Sequence, residues 1–233
     1  MKVLGIDTST PRISVALVDD STLLGQREVM VERNRTGLMP LVDELFNALG
    51  IRPQALDAVA VGAGPGSFTG LRIGMATAKG IAFASGRPLW AVSSLAALAH
   101  AELVRAPAGL VVAVLDARKG EVYAGAYRRE GERSVLVGDE RVIAPTEVAN
   151  VGVAARHGDE RVRFVGDALA AYPELSVLDG TWGVTPTGAD VAALALAGSH
   201  VDVLVGGAPT YIRPSEAEVR YPDGVPGALR KRS

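Results

Sequence analysis

The strongest constraint on the fold is a pattern that the chain states twice. Val3 to Ile6 is a short apolar run that ends at Asp7, turns through Thr8-Ser9-Thr10-Pro11 and resumes as the alternating stretch Ile13 to Leu17. Leu110 to Leu115 likewise ends at Asp116, turns through Ala117-Arg118-Lys119-Gly120 and resumes as Glu121 to Tyr127. An apolar strand, an aspartate, a tight turn and a second strand, repeated in each half, imply two related lobes. Around the first copy, periodicity predicts a third strand over Leu23 to Val31, an amphipathic helix over about Thr36 to Leu49, and strands at Ala58 to Val61 and Leu89 to Val92. Helices are predicted to begin near Phe68 and at Ser93-Ser94. The result is a βββαβαβα order in an α/β protein, with Arg105-Ala106-Pro107-Ala108-Gly109 as the break before the second copy.

The stretch Gly62-Ala63-Gly64-Pro65-Gly66-Ser67-Phe68-Thr69-Gly70-Leu71-Arg72-Ile73-Gly74 places many glycines at one strand-to-helix junction. Glycine permits positive φ and close backbone approach, so a ligand-recognising loop is the first expectation, with an anion at the helix N-terminus the obvious guest. Neither phosphate template fits. No Gly-Lys-Ser/Thr follows at P-loop spacing, and the dinucleotide fingerprint lacks its last glycine. Ser67 reads as a helix cap, because no nucleophile-elbow pattern surrounds it and only His100, His157 and His200 exist as bases. Beyond the loop, Gly70, Gly74, Ala78 and Ala82 recur every fourth residue and share one helical stripe. Such a stripe either lies tightly on its own sheet or forms a flat surface for another chain. Leu38, Leu41, Val42, Leu45, Phe46 and Leu49 are a second candidate for that surface, although most of them must be core.

Composition narrows the function classes. With 233 residues and 48% apolar content, the chain can bury a large core or two small ones. A formal charge of -2 excludes a dominant nucleic-acid footprint, and Arg230-Lys231-Arg232 reads as a solvated end. The absence of cysteine excludes disulfides, thiolate metal sites and thiol catalysis. Asp7 interrupts the first apolar run and no segment is long enough to span a bilayer, so a cytoplasmic protein with no membrane contact is expected.

Asp7 and Asp116 admit two readings. Each satisfies the amides of its own turn, or both face one cleft and organise metal-bound phosphate, as in two-lobed phosphotransferases. Taken in order, Ile6-Asp7-Thr8-Ser9-Thr10, the Gly62 to Gly74 segment, Asp116-Ala117-Arg118-Lys119-Gly120-Glu121-Val122-Tyr123 and Pro209-Thr210-Tyr211-Ile212-Arg213 resemble the bacterial TsaB (YeaZ) family. The resemblance runs from Met1 to about Arg213, while Arg128 to Gly207 carries no motif of its own.

That resemblance implies a two-lobed actin and sugar-kinase-like (ribonuclease H-like) fold with duplicated βββαβα lobes. The break at residues 105–109 and the proline-, glycine- and charge-rich composition after Pro214 divide the chain into an N-terminal lobe at 1–104, a C-terminal lobe at 105–213 with part expected to pack back on the first, and an expected mobile tail at 214–233. The resemblance implies a non-catalytic subunit for threonylcarbamoyladenosine formation on tRNA, supporting a catalytic TsaD paralogue together with a TsaE ATPase, touching tRNA only through the complex, and forming a homodimer in the partner's absence. TsaD binds metal through a His-x-x-x-His pair; the matching positions here are Ser94 and Leu98, so no metal is expected, and His100 alone cannot hold one. The implied interface uses Leu38, Leu41, Val42 and Leu45 with Gly70, Gly74, Ala78 and Ala82. Candidates for a nucleotide or phosphate are Asp7, Thr8, Ser9, Asp116, Arg118 and Lys119. No cofactor is expected to bind tightly, but ATP or ADP fits a composite site at the subunit boundary, and Gly206-Gly207 reads as a loop. The rival class is a small ATP-dependent kinase or ATPase using Asp7 and Asp116. A peptidase is disfavoured by the lack of a metal pair or triad.

Overall fold

Two sheets share one strand order, as the repeated sequence pattern requires. In the first, β1 (Lys2–Asp7), β2 (Arg12–Asp19) and β3 (Thr22–Met30) form an antiparallel meander, and β4 (Ala58–Gly62) and β5 (Leu89–Val92) add in parallel beyond β1. In the second, β6 (Leu110–Arg118), β7 (Glu121–Glu130) and β8 (Arg133–Ile143) form the meander, and β9 (Val162–Gly166) and β10 (Gly180–Trp182) add in parallel beyond β6. The orders are β5-β4-β1-β2-β3 and β10-β9-β6-β7-β8, with the two-residue β11 (Val201–Asp202) appended antiparallel to β5. This computed structural model describes residues 1–31, 37–106, 109–204 and 206–213; the expected tail at 214–233 and the expected helix start at Thr36 lie outside them.

Burial follows from the neighbours. β4 is buried along its whole length because both of its faces are covered, whereas the edge strand β3 mixes exposed and half-buried residues. Helices α1 (Leu38–Leu49) and α2 (Phe68–Ser85) cover one face of the first sheet, where Leu41, Leu45, Ala78 and Ala82 join Leu4, Ile6, Leu17 and Val61 in one core. Helix α6 (Gly188–Leu196) covers the other face, setting Val191, Ala192, Leu194 and Ala195 among Val3, Val18, Ala58 and Ala60. Helix α3 (Ser94–Arg105) lays Leu95, Leu98 and Leu103 on the second sheet against Val111, Leu115 and Tyr127. Helices α4 (Val148–Ala155) and α5 (Ala168–Ala171) cover that sheet's far face.

The layers therefore run helices, sheet, helix pair, sheet, helices. The middle pair is exchanged: α3 comes from the first half of the chain and packs on the second sheet, while α6 comes from the second half and packs on the first. The sequence break expected after Val104 falls one residue before the end of α3, whose apolar side chains belong to the second core. No helix among the described residues is long and apolar enough to cross a membrane.

Candidate functional site

The glycine segment is occupied by the chain itself. Asp7, at the end of β1, has no exposed surface. Its Oδ1 accepts from the Ser9 amide at 2.9 Å and the Ser9 hydroxyl at 2.6 Å, and its Oδ2 accepts from the Ser94 hydroxyl at 2.8 Å. A Cβ on Gly62 would stand 2.1 Å from that Oδ2, and one on Gly66 would stand 2.3 Å from the Ser9 carbonyl oxygen. A Cβ on Gly70 would meet the Thr8 carbonyl oxygen at 2.1 Å, and one on Gly74 the Thr8 hydroxyl oxygen at 2.2 Å. Thr8 in turn donates to the Gly70 carbonyl at 2.8 Å. The glycines thus form a seat for the turn at residues 7–10. Ser67 caps α2 by accepting from the Gly70 amide at 3.3 Å.

Two expectations are corrected by this packing. Asp7 does not share the cleft with Asp116, because its two oxygens are consumed by Ser9 and Ser94 beneath Gly62. The stripe Gly70, Gly74, Ala78 and Ala82 does not face outward, because its small residues admit the turn and the first sheet. Leu38, Leu41, Val42 and Leu45 are core side chains for the same reason: they are the apolar face with which α1 covers the meander. The outward faces of these helices carry other residues. Phe83 is 82% exposed and Met39 55% exposed, and Ala76 and Gly80 lie on the same outward side of α2.

Burial raises the Asp7 carboxyl from its ordinary 3.8 to about 6, with the Ser9 and Ser94 hydrogen bonds pulling against that rise. A carboxyl raised in the folded state contributes stability that is complete below 3.8 and lost as pH climbs through about 6. Asp7→Asn keeps an acceptor for Ser9 and gives the Ser94 hydroxyl a donor, so the variant should fold. Its stability relative to wild type should grow by about 1.4 kcal/mol, one pKa unit's worth, between pH 5 and 7.5. Urea midpoints across that range measure it, and parallel curves would refute it.

Between the lobes lies a cleft of about 1170 Å³, walled by Thr8, Ser9, Ser67 and Phe68 on one side and by Leu115, Asp116, Lys119 and Asp167 on the other. Of the residues expected here, Asp116, Arg118 and Lys119 line the cleft, and Thr8 and Ser9 line it with their hydroxyls engaged within the protein. Arg118 and Lys119 adopt left-handed φ of 64° and 56° in the turn between β6 and β7. Asp116 Oδ1 accepts from the Arg118 amide at 2.8 Å and from the Tyr172 hydroxyl at 2.8 Å, and the Arg118 guanidinium stands 3.3 Å from Oδ2.

Sequence reasoning missed Asp167 and Tyr172. Asp167 accepts from the Asp116 amide at 3.0 Å, and burial holds its carboxyl above the usual range. Burial, with Asp116 beside it, pushes the Tyr172 phenol up to about 12. The signal for Asp167 was the short β-branched and aromatic stretch Val162-Arg163-Phe164-Val165 ending in Gly166-Asp167, which the repeated strand order puts beside Asp116. For Tyr172 there was none. The cleft so built is lined by Arg118 and Lys119 and by Asp116 and Asp167, whose carboxylates accept from the Arg118 and Asp116 amides and the Tyr172 hydroxyl. Among the described residues, no group of three or more His, Asp or Glu is placed to hold a metal. His100 is buried away from the cleft, with Nδ1 2.9 Å from the Ser134 hydroxyl oxygen.

Comparison with known proteins agrees with this architecture. The sequence model of the family described as TsaD, tRNA N6-adenosine threonylcarbamoyltransferase, matches residues 28–220. A Bacillus subtilis protein named tRNA threonylcarbamoyladenosine biosynthesis protein TsaB is 33% identical over 95% of this chain and 98% of its own length. The Escherichia coli protein of the same name is 33% identical over 77% of each. The crystal structure of YeaZ from Pseudomonas aeruginosa superposes with a TM-score of 0.76 at 32% identity, covering 90% of this chain and 99% of that one. An ROK hexokinase from Thermus thermophilus, at 14% identity and a TM-score of 0.51, shares the two-lobed actin and sugar-kinase-like fold alone. The chain belongs to the family covered by the TsaD model and, within it, to the TsaB (YeaZ) branch.

Proposed function

We propose that this chain is a non-catalytic subunit in tRNA threonylcarbamoyladenosine formation, which docks a TsaD-type catalytic paralogue and holds it in a competent state. The relatives' names supply the pathway. The observation that carries the subunit role is the exposed side of α2, where Phe83 stands in solvent on the same side as the small residues Ala76 and Gly80, with Met39 exposed on the neighbouring helix α1. Large apolar side chains next to residues that allow close helix approach suit a helix-on-helix contact. The non-catalytic reading draws on Ser94 and Leu98, which stand where the paralogue is expected to carry its metal pair. Ser94 is engaged with Asp7, and Leu98 is core. A kinase or ATPase reading loses one of its two carboxylates once Asp7 is buried.

In this proposal the same helical face makes a homodimer when the paralogue is absent, so the two assemblies compete. Turnover of ATP belongs to a TsaE-type ATPase. Where ATP or ADP meets this chain, it does so at a composite boundary site through Arg118 and Lys119 in the cleft wall. The tRNA is touched only through the complex, consistent with a net charge of -2, and a cytoplasmic location belongs to the same reading.

Reconstitution tests the proposal. Modification of tRNA with TsaC-type adenylate supply, TsaD and TsaE from one organism should depend on this chain, and this chain without TsaD should give no product. Product or stoichiometric ATP turnover without TsaD would replace the subunit reading with an enzyme. Full activity in the absence of this chain would remove both.

A further inference from the structure

Residues 207–213 leave the first lobe and enter the second along one wall of the cleft. On the first lobe, the Lys79 ammonium donates to the Gly207 carbonyl and the Thr210 amide donates to the Ala63 carbonyl at 2.8 Å. The Tyr211 ring packs on Phe68 with centroids 4.8 Å apart. Arg72 lies over the other part of this seat, 3.9 Å from the Phe68 centroid, and its Nε donates to the Tyr211 hydroxyl at 3.2 Å. On the second lobe, Ile212 packs against the core that holds Leu115, Ala117 and Tyr123. Arg213 donates to the Ala117 carbonyl at 2.9 Å and pairs with Glu121.

The other chain crossings between the lobes lead into α3 and α6, the helix pair between the sheets. Crossings through one central layer leave two lobes free to turn about that layer, whereas a further tie along the cleft wall fixes the angle. We propose that residues 207–213 form an interlobe strap that sets the opening of the cleft, latched to the first lobe by Tyr211 and to the second by Arg213. Neither latch is deep core. Tyr211 is 39% exposed and Ile212 only partly buried, so the Tyr211–Phe68 ring pair with its Arg72 hydrogen bond and the Arg213 pairs lie at the rim of the two cores and release without opening either.

The chain has no cysteine, so two introduced ones take spin labels without background. Asn47 on α1 and Val153 on α4 are exposed, and they report the lobe-to-lobe distance by pulsed electron resonance. Tyr211→Ala should move the distance distribution to longer values and broaden it. Arg213→Gln, which keeps the packed stem and removes the charge, should do the same. Amide exchange in the turn at residues 117–121 should quicken by roughly tenfold in both. Circular dichroism confirms that each variant is folded; should Tyr211→Ala fail to fold, Arg213→Gln decides. A folded Arg213→Gln chain with the wild-type distance distribution would overturn the strap.

Discussion

Gly74→Leu is expected to cost the first lobe its fold, or at least about 3 kcal/mol of stability, because a side chain there has no direction in which to go. The position sits mid-helix, so its backbone is held by α2, and the first added carbon would lie 2.2 Å from the Thr8 hydroxyl oxygen. Thr8 cannot retreat. Its hydroxyl donates to Gly70, and its neighbours Asp7 and Ser9 are locked to each other and to Ser94. Gly80, six residues along the same helix, supplies the control. A Cβ there meets nothing within 4 Å, so Gly80→Ala should stabilise the isolated chain by roughly 0.5–1 kcal/mol through helix propensity alone. Urea midpoints of the two variants should move in opposite directions. A folded Gly74→Leu with wild-type stability would mean that α2 is not seated on the Thr8 turn.

The same pair of glycines shows where sequence reasoning stops. The first meander and the order of elements in the first half were legible because apolar alternation and turn residues act locally from Val3 to Leu17. The aspartate-ended hairpin from Leu110 to Tyr127 was legible for the same reason, whereas β8, β9 and β10 lie in a stretch without a motif. The direction of α2 was not legible. Besides Gly70, Gly74, Ala78 and Ala82, the helix carries Ala76, Gly80 and Ala84 at the same spacing, and residues without bulk say nothing about which stripe is buried. The choice is made by a turn some sixty residues earlier, whose depth depends on how Asp7 is hydrogen-bonded. The cleft was half legible for a related reason. Asp116, Arg118 and Lys119 belong to a local turn, whereas Asp167, Tyr172 and the seat of Tyr211 are brought there by strand order and by a contact from Arg72 spanning 139 positions.

Phe83→Glu should leave the isolated chain within about 0.5 kcal/mol of wild type and strongly weaken its proposed support of a TsaD-type partner. The stability half of that expectation follows from exposure: a ring that is 82% in solvent makes few contacts for the fold to lose. The functional half follows from what such a ring does when another helix covers it. An aromatic anchor at the centre of an interface is commonly worth 2–4 kcal/mol, and replacing it by a carboxylate adds the cost of burying a charge, so affinity should fall by at least about 100-fold. Gly80→Lys tests the same face by bulk instead of charge, since its side chain is free within the chain but would hold a second helix away. The two variants should share one phenotype: normal thermal melts, weakened partner binding by calorimetry, and tRNA modification recovered only at high concentrations of this chain. Their failure to do so, with Met39→Glu on α1 equally silent, would move the docking surface off these helices and leave the subunit role without the feature that now supports it.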